Sequence, residues 1–194
     1  MPTSIGFQDD IKSILIDRDR IAARVRELGR EVAADLEADA LHTPGDEHAG
    51  EIILVPILTG SIIFVADLIR AMPLKMRIRV LSVTSYAGAV TQSKEAKLAS
   101  EIPSDLAGTH VLIVDDILDS GKTIRLVREL IQQQQPASVR TCVLLRKTIP
   151  EALATPCDYI GFDIPNEFVV GAGLDYDGYY RNLPDLCTLR PEVL

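Results

Sequence analysis

The stretch that decides the fold is VLIVDDILDSGKT, residues 111–123. An apolar, β-branched run at residues 111–114 is typical of a strand that is buried on both faces of a parallel sheet. Asp115 and Asp116 follow at once, and apolar residues at helical spacing begin after Gly121. We therefore predict a strand, a short loop and a helix start. This is the layout of a phosphate site, because the free N–H groups at a helix N-terminus lie at the positive end of its dipole.

The same alternation of strands and helices extends through the rest of the chain. Apolar and β-branched runs predict strands at residues 11–16, 51–58, 77–86, 139–145 and 159–164. Helical spacing of apolar residues predicts helices at residues 17–36, 61–71 and 121–131. This order predicts the α/β class, with a mostly parallel twisted sheet flanked by helices. One domain is expected over residues 1–194, with its core at about 50–165.

Composition and charge exclude several classes of protein. The chain is 47% hydrophobic and 25% charged, as ordinary globular domains are, so a folded core is expected. A net charge of −8 argues against nucleic acid as a partner. The apolar windows are too short to span a membrane, and no signal peptide is visible. Cys142, Cys157 and Cys187 are odd in number and widely spaced, which fits reduced thiols, so we expect a cytoplasmic protein.

Two other interpretations of residues 111–123 stand beside a phosphate site. Residues 121–123, GKT, match the end of the P-loop pattern G-x-x-x-x-G-K-[ST], but Asp116 occupies the position of its first glycine. Asp119 or Ser120 could simply cap the helix. Three acids at the carboxyl end of a parallel strand favour a ligand, since carboxylates accept hydrogen bonds from ribose hydroxyls at that edge. The predicted ligand is a sugar phosphate.

The stretch resembles the phosphoribosyl diphosphate (PRPP) signature of type I phosphoribosyltransferases. Further motifs, in the same order along the chain, resemble the hypoxanthine-guanine branch of that family. They are LTGS at 58–61, SY at 85–86, LLRK at 144–147, DYIGFDIPNEFVVG at 158–171, LDY at 174–176 and YRNLP at 180–184. The resemblance implies purine salvage: PRPP and hypoxanthine or guanine give IMP or GMP plus pyrophosphate. It also implies a small hood, built from about residues 5–40 and 166–194, over the carboxyl ends of the strands.

The resemblance assigns roles on the PRPP side of the site. Asp115 and Asp116 match the acidic pair at the ribose hydroxyls. Asp119 matches the proposed general base, which would take the N7 proton of the purine. The 5′-phosphate and pyrophosphate contacts are matched by Ser120, Gly121, Lys122, Thr123, Thr59, Gly60 and Arg181. Thr59 departs from many relatives, which have a lysine there in a loop that often contains a cis peptide bond, so weaker pyrophosphate binding is expected.

The purine side, the metal and a closing loop follow from the same resemblance. The purine-binding set is matched by Lys147, Phe168, Val169 and Asp175. A lysine donates and does not accept, which favours a 6-oxopurine over adenine. Mg²⁺ is the expected cofactor, because it is the natural counterion of pyrophosphate. Its expected ligands are Asp175, Asp115 and Asp116.

Ser85 and Tyr86 match the start of a loop that closes over the site, and residues 87–104 are expected to form it. A homodimer or homotetramer is expected from the family. Two alternatives remain open at this point. The enzyme could prefer xanthine, since the discriminating contacts are largely main-chain. The chain could also be a noncatalytic regulator that senses PRPP or a nucleotide.

Overall fold

The computed structural model describes residues 6–43, 50–85, 96–98 and 100–194. The strands within these residues are β1 (Ile11–Ile16), β2 (Ile52–Leu58), β3 (Arg77–Ile78), β4 (Leu81–Ser85), β5 (Ala96–Leu98), β6 (His110–Leu118), β7 (Ser138–Lys147), β8 (Tyr159–Ile164), β9 (Val169–Val170) and β10 (Leu186–Leu189). The helices are α1 (Arg18–Leu41), α2 (Ile62–Arg70), α3 (Lys122–Gln132) and α4 (Pro150–Leu153). None of the helices in this part of the chain has the length and apolar character that crossing a membrane requires.

The larger sheet confirms the predicted α/β class. Its strand order is β5-β4-β2-β6-β7-β8, with β3 beside β2. The pairs along β4-β2-β6-β7-β8 are parallel, and β4 with β5 is antiparallel. Alternate residues of β2 enter two different apolar cores, Leu54 with α1 and α2, and Ile53 with α3. The sheet therefore lies between two layers of helices, as the continuous apolar run of β2 predicts.

Strand β6 is longer than the sequence predicts. The prediction ended the strand at residue 114, whereas the ladder with β7 continues to Leu118, which pairs with Arg146. The ten-residue β7 pairs with Asp115 and, beyond it, with Ile117 and Leu118, so pairing decides where the strand ends. Asp115 and Asp116 consequently lie inside a rigid strand and not in the loop after it.

Other boundaries also differ from the prediction. The strand predicted at 77–86 is divided into β3 and β4, with the N–H of Arg79 bonded to the carbonyl of Leu54 between them. Tyr86 and most of the predicted loop at 87–104 lie outside the described residues. Residues 96–98 of that segment form β5, which extends the sheet. Helix α4 and strands β9 and β10 were not predicted.

A second, smaller antiparallel sheet has the strand order β1-β10-β9, and we use the name hood for this sheet and the chain between β9 and β10. The C-terminal half of the hood prediction, residues 166–194, includes β9 and β10. The N-terminal half, residues 5–40, includes β1 and also α1, which packs against the larger sheet. Its apolar stripe is buried in the core that contains Leu54, and its Arg24 donates to the carbonyls of Ile160 and Gly161 in β8.

Candidate active site

A cavity of about 600 Å³ opens at the carboxyl ends of β2 and β6. Most of the predicted site residues line it. They are Thr59, Gly60, Asp115, Asp116, Asp119, Ser120, Gly121, Lys122, Thr123, Asp175 and Arg181. The carboxyl ends of parallel strands are where such sheets bind ligands, and the sequence-distant residues Asp175 and Arg181 reach this edge from the hood.

The loop at 119–123 forms a cradle of backbone N–H groups. Gly121 occupies the N-cap position of α3 in the left-handed region, with φ 75°, which favours glycine. No side chain makes a capping hydrogen bond at this end of α3, so the N–H groups of its first turn are left available to an anion. Capping by Asp119 or Ser120, the alternative drawn from the sequence, is therefore wrong.

Two carboxylates stand side by side at the floor of the cavity. Asp115 is 6% exposed, and burial together with the adjacent charge of Asp116 raises its pKa well above the ordinary value. Burial also raises the pKa of Asp116, while hydrogen bonds and the charge of Arg181 oppose that rise. A Cβ on Gly60 would overlap Oδ2 of Asp116, so only glycine lets this backbone pass so close. The pair is thus desolvated and held against the loop that begins at Thr59.

Asp119 and Lys147 form an ion pair at the rim. Lys147 Nζ lies 3.0 Å from Asp119 Oδ1, and the side chains are 14% and 59% exposed respectively. Because β6 and β7 are parallel neighbours, their carboxyl ends bring these residues together. The preceding residue, Arg146, points to the other side and pairs with Asp163. Lys147 is not among the described lining residues of the cavity, but it reaches its edge through Asp119.

The hood supplies a second ion pair from the chain between β9 and β10. Arg181 Nη2 lies 2.8 Å from Asp175 Oδ1, and Arg181 Nη1 donates to the carbonyl of Gly173 at 2.8 Å. Asp175 Oδ2 accepts from the N–H of Gly178 at 2.8 Å. These contacts fix both side chains at the cavity wall, and they leave lone pairs on the carboxylate oxygens and donors on the guanidinium.

The described lining of the cavity does not include Phe168, Val169 or Ser85, which were also predicted as site residues. Phe168 is 46% exposed and packs edge-on against Tyr176, with ring centroids 5.6 Å apart. Val169 is buried in β9, where it pairs with Thr188. The backbone of Ser85 ends β4, whereas Tyr86 lies outside the described residues.

The donor set suits a metal that brings ligands of its own. Among the described residues, no group of three or more His, Cys, Asp or Glu side chains is placed to hold an ion by itself. The predicted set, Asp115, Asp116 and Asp175, therefore does not form a closed protein cage. The Leu58–Thr59 peptide bond is cis.

Sequence reasoning missed one residue of this region. Arg125 lies in the first turns of α3, and its Nη2 donates to the carbonyl of Ser120 at 3.0 Å. Its only sequence signal is its position four residues after Gly121, one helical turn away. That spacing says which face it shares with the loop, but not which partner it finds there.

The fold and the cradle define a phosphoribosyl transferase domain, whose family model matches residues 25–177. The hypoxanthine-guanine phosphoribosyltransferase of Mycobacterium avium is 41% identical over 96% of this chain and 90% of its own. A crystal structure of a hypoxanthine phosphoribosyltransferase from Staphylococcus aureus has a TM-score of 0.83, with 33% identity over 100% of this chain and 98% of that one. The enzyme from Trypanosoma cruzi in complex with the product IMP has a TM-score of 0.82 and 33% identity, with full coverage of both chains. The chain belongs to the hypoxanthine-guanine phosphoribosyltransferase family.

Proposed function

We propose that the protein transfers the 5-phosphoribosyl group of PRPP to N9 of hypoxanthine or guanine, giving IMP or GMP and pyrophosphate. One observation carries the proposal beyond family membership. A backbone anion cradle, a carboxylate pair and a lysine-paired aspartate lie together at one sheet edge. A phosphate, a ribose and a 6-oxopurine need these three kinds of group.

On the PRPP side, the cradle at 119–123 would bind the 5′-phosphate through backbone N–H groups at the start of α3. Asp115 and Asp116 would accept hydrogen bonds from the two ribose hydroxyls. Arg181 would contact the pyrophosphate with the guanidinium donors that Asp175 and Gly173 leave over. Thr59 would offer the pyrophosphate a hydroxyl donor, where the lysine of many relatives would offer a positive charge.

On the purine side, Asp119 would accept the N7 proton as N9 attacks C1 of the ribose. Its ion pair with Lys147 holds the carboxylate at the rim. The ammonium group of Lys147 has three donors, so it can bond a 6-oxo group as well as Asp119. Phe168, which is half exposed, would offer a ring face to the base, with main-chain groups near Val169 at its edge.

Mg²⁺ fits this donor set. The carboxylates of Asp175, Asp115 and Asp116 are hard oxygen ligands. Burial, and then the adjacent charge of Asp116, raise the pKa of Asp115, so a cation there would offset the cost of the ionised pair. Asp175 would hold the ion together with pyrophosphate oxygens and waters. Asp115 and Asp116 are the other two expected ligands. When bound, the ion neutralises charge on the leaving pyrophosphate.

We further propose a homodimer or homotetramer in the cytoplasm. Three free cysteines, two of them buried, are consistent with a reducing compartment. Size-exclusion chromatography with light scattering measures the assembly, and a monomer at all concentrations would contradict this part of the proposal.

An ultraviolet absorbance assay tests the reaction. Purified protein is given PRPP and Mg²⁺ with hypoxanthine, guanine, xanthine or adenine in separate cuvettes, and then EDTA is added. We expect turnover of hypoxanthine and guanine that stops with EDTA. Faster turnover of xanthine would replace hypoxanthine and guanine as the proposed substrates. If no base is turned over while calorimetry shows that PRPP still binds, the proposed enzymatic activity is rejected.

A further inference from the structure

The cradle loop is held from outside the cavity by Arg125. Its Nη2 donates to the carbonyl of Ser120 at 3.0 Å, and its Nη1 donates to Oγ1 of Thr155. Arg125 is not among the described residues that line the cavity, whereas Ser120 and Gly121 are. The guanidinium therefore contacts the back of the loop, and a ligand would lie on the front.

The bond to Ser120 sets the direction of a peptide group in the cradle. In a trans peptide the C=O and N–H point in opposite directions. Because the carbonyl of Ser120 points to Arg125, the N–H of Gly121 points away from Arg125. Backbone N–H groups on that side are the donors that an anion at a helix N-terminus uses.

Thr155 anchors the guanidinium. Thr155 is 3% exposed, and its Oγ1 donates to the carbonyl of Glu151 in α4 at 2.8 Å, which leaves its lone pairs for Arg125. A Cβ at Gly121 would overlap the same Oγ1, so the loop packs directly on Thr155. The loop is thus tied, through two side chains, to the segment that follows β7.

We propose that Arg125 is a positioning residue, which with Thr155 holds the loop at 119–123 in the shape that receives the 5′-phosphate. The inference rests on the proposed function, because it takes PRPP and 5′-nucleotides as the ligands. A loop that is already ordered loses less conformational freedom on binding, so affinity for the phosphate rises. Arg125 does not contact the ion pair of Asp119 with Lys147, so loss of Arg125 should leave the purine side of the site unchanged.

The test compares Arg125→Ala with Arg128→Ala. Arg128 lies on the same helix and bonds Thr141 and Asp158, so its removal changes net charge equally without touching the loop. For Arg125→Ala we expect KM for PRPP and Kd for IMP to rise about tenfold, the scale of one charge-assisted hydrogen bond. We expect kcat and KM for hypoxanthine to stay within about twofold, and Arg128→Ala to match the parent.

Thr155→Val is the second variant, since it removes the hydroxyl and keeps the volume. It should raise the same two constants by about threefold, and the double variant should be no worse than Arg125→Ala, because the two side chains act through one contact. If Arg125→Ala does not fold, Thr155→Val alone tests the positioning role: a rise of about threefold in both constants supports it, and unchanged constants reject it. Equal constants in the Arg125→Ala and Arg128→Ala proteins would overturn the inference. So would an equal loss in PRPP and hypoxanthine parameters.

Calorimetric titration with ribose 5-phosphate and with inorganic phosphate separates this inference from the proposed function. If the parent protein binds these ligands but turns over no base, the proposed function fails. The role of Arg125 is then decided by binding alone: about tenfold weaker binding by Arg125→Ala supports it, and unchanged binding rejects it.

Discussion

Asp115→Asn should stabilise the ligand-free protein at neutral pH while it damages the site. Asp115 is buried beside Asp116, and both effects raise its pKa, which means that the folded state holds the ionised carboxylate at a cost. Asparagine keeps the shape and the oxygen that accepts the N–H of Asp116 at 3.1 Å. Replacement of a buried, charge-opposed group by a neutral one of the same size should gain about 1–2 kcal/mol. For a chain of this length that is a rise in Tm of about 2–8 °C.

The raised pKa of Asp115 also fixes how the stability difference between Asp115→Asn and wild type changes with pH. A group whose folded pKa is raised binds protons more tightly in the folded state, so wild-type stability falls as pH rises through the window that starts near the unfolded value of about 3.9. The advantage of Asp115→Asn is therefore absent below about pH 4, grows above it and levels off once the native pKa is passed.

Differential scanning calorimetry from pH 4 to 8, in EDTA without ligands, measures this difference. Asp119→Asn is the matched control: Asp119 lines the same cavity but is 59% exposed and paired with Lys147, so its loss should not raise Tm. A Tm for Asp115→Asn equal to or below wild type at pH 8 would refute the reasoning. With Mg²⁺ and PRPP added, wild type should gain more Tm than Asp115→Asn, because the variant has lost a carboxylate of the site.

Three further outcomes test individual residues. Asp119→Asn should lower kcat by about 10²-fold or more while the PRPP affinity changes only a few-fold, as expected for a general base; unchanged kcat would eliminate that role. Lys147→Met should raise KM for hypoxanthine and guanine far more than KM for PRPP. Arg146→Met is the control, because it loses only a surface ion pair, and it should leave these constants unchanged. Equal effects of Lys147→Met on the KM values of both substrates would count against the purine-binding role of Lys147. Gly60→Ala, whose Cβ would overlap Asp116, should cost about 1–3 kcal/mol in urea unfolding and raise KM for PRPP; a variant as stable as wild type would show that the backbone there has room.

The elements with strong local signals could be predicted. The start of α1 lies at the predicted position, where the carboxylate of Asp17 accepts from the N–H groups of Asp19 and Arg20. The strand and helix around the cradle follow from an apolar run, a glycine and helical spacing. These features depend on neighbours within a few residues, so no knowledge of the rest of the chain is needed.

Features set by distant contacts could not be predicted from the residues alone. The extension of β6 to Leu118 depends on pairing with β7, and the packing of α1 on the larger sheet depends on which face of β2 is left open. The Arg125 and Thr155 contact joins residues 30 apart, and neither lies in a motif. Roles such as that of Lys147 came from family resemblance, while its 3.0 Å distance to Asp119 came from the fold.

The charges of the cavity bear on how so anionic a substrate as PRPP is accommodated. The acids among its described lining residues are Asp115, Asp116, Asp119 and Asp175, and the bases are Lys122 and Arg181. Lys147 neutralises one acid, and Arg181 is already paired with another. The position where many relatives carry a lysine is Thr59, so this wall adds no charge of its own. The backbone cradle can take the 5′-phosphate, but the pyrophosphate meets a wall with little positive charge to spare. The described lining residues therefore supply little of its counter-charge, which is the physical reason to expect that PRPP affinity depends steeply on Mg²⁺.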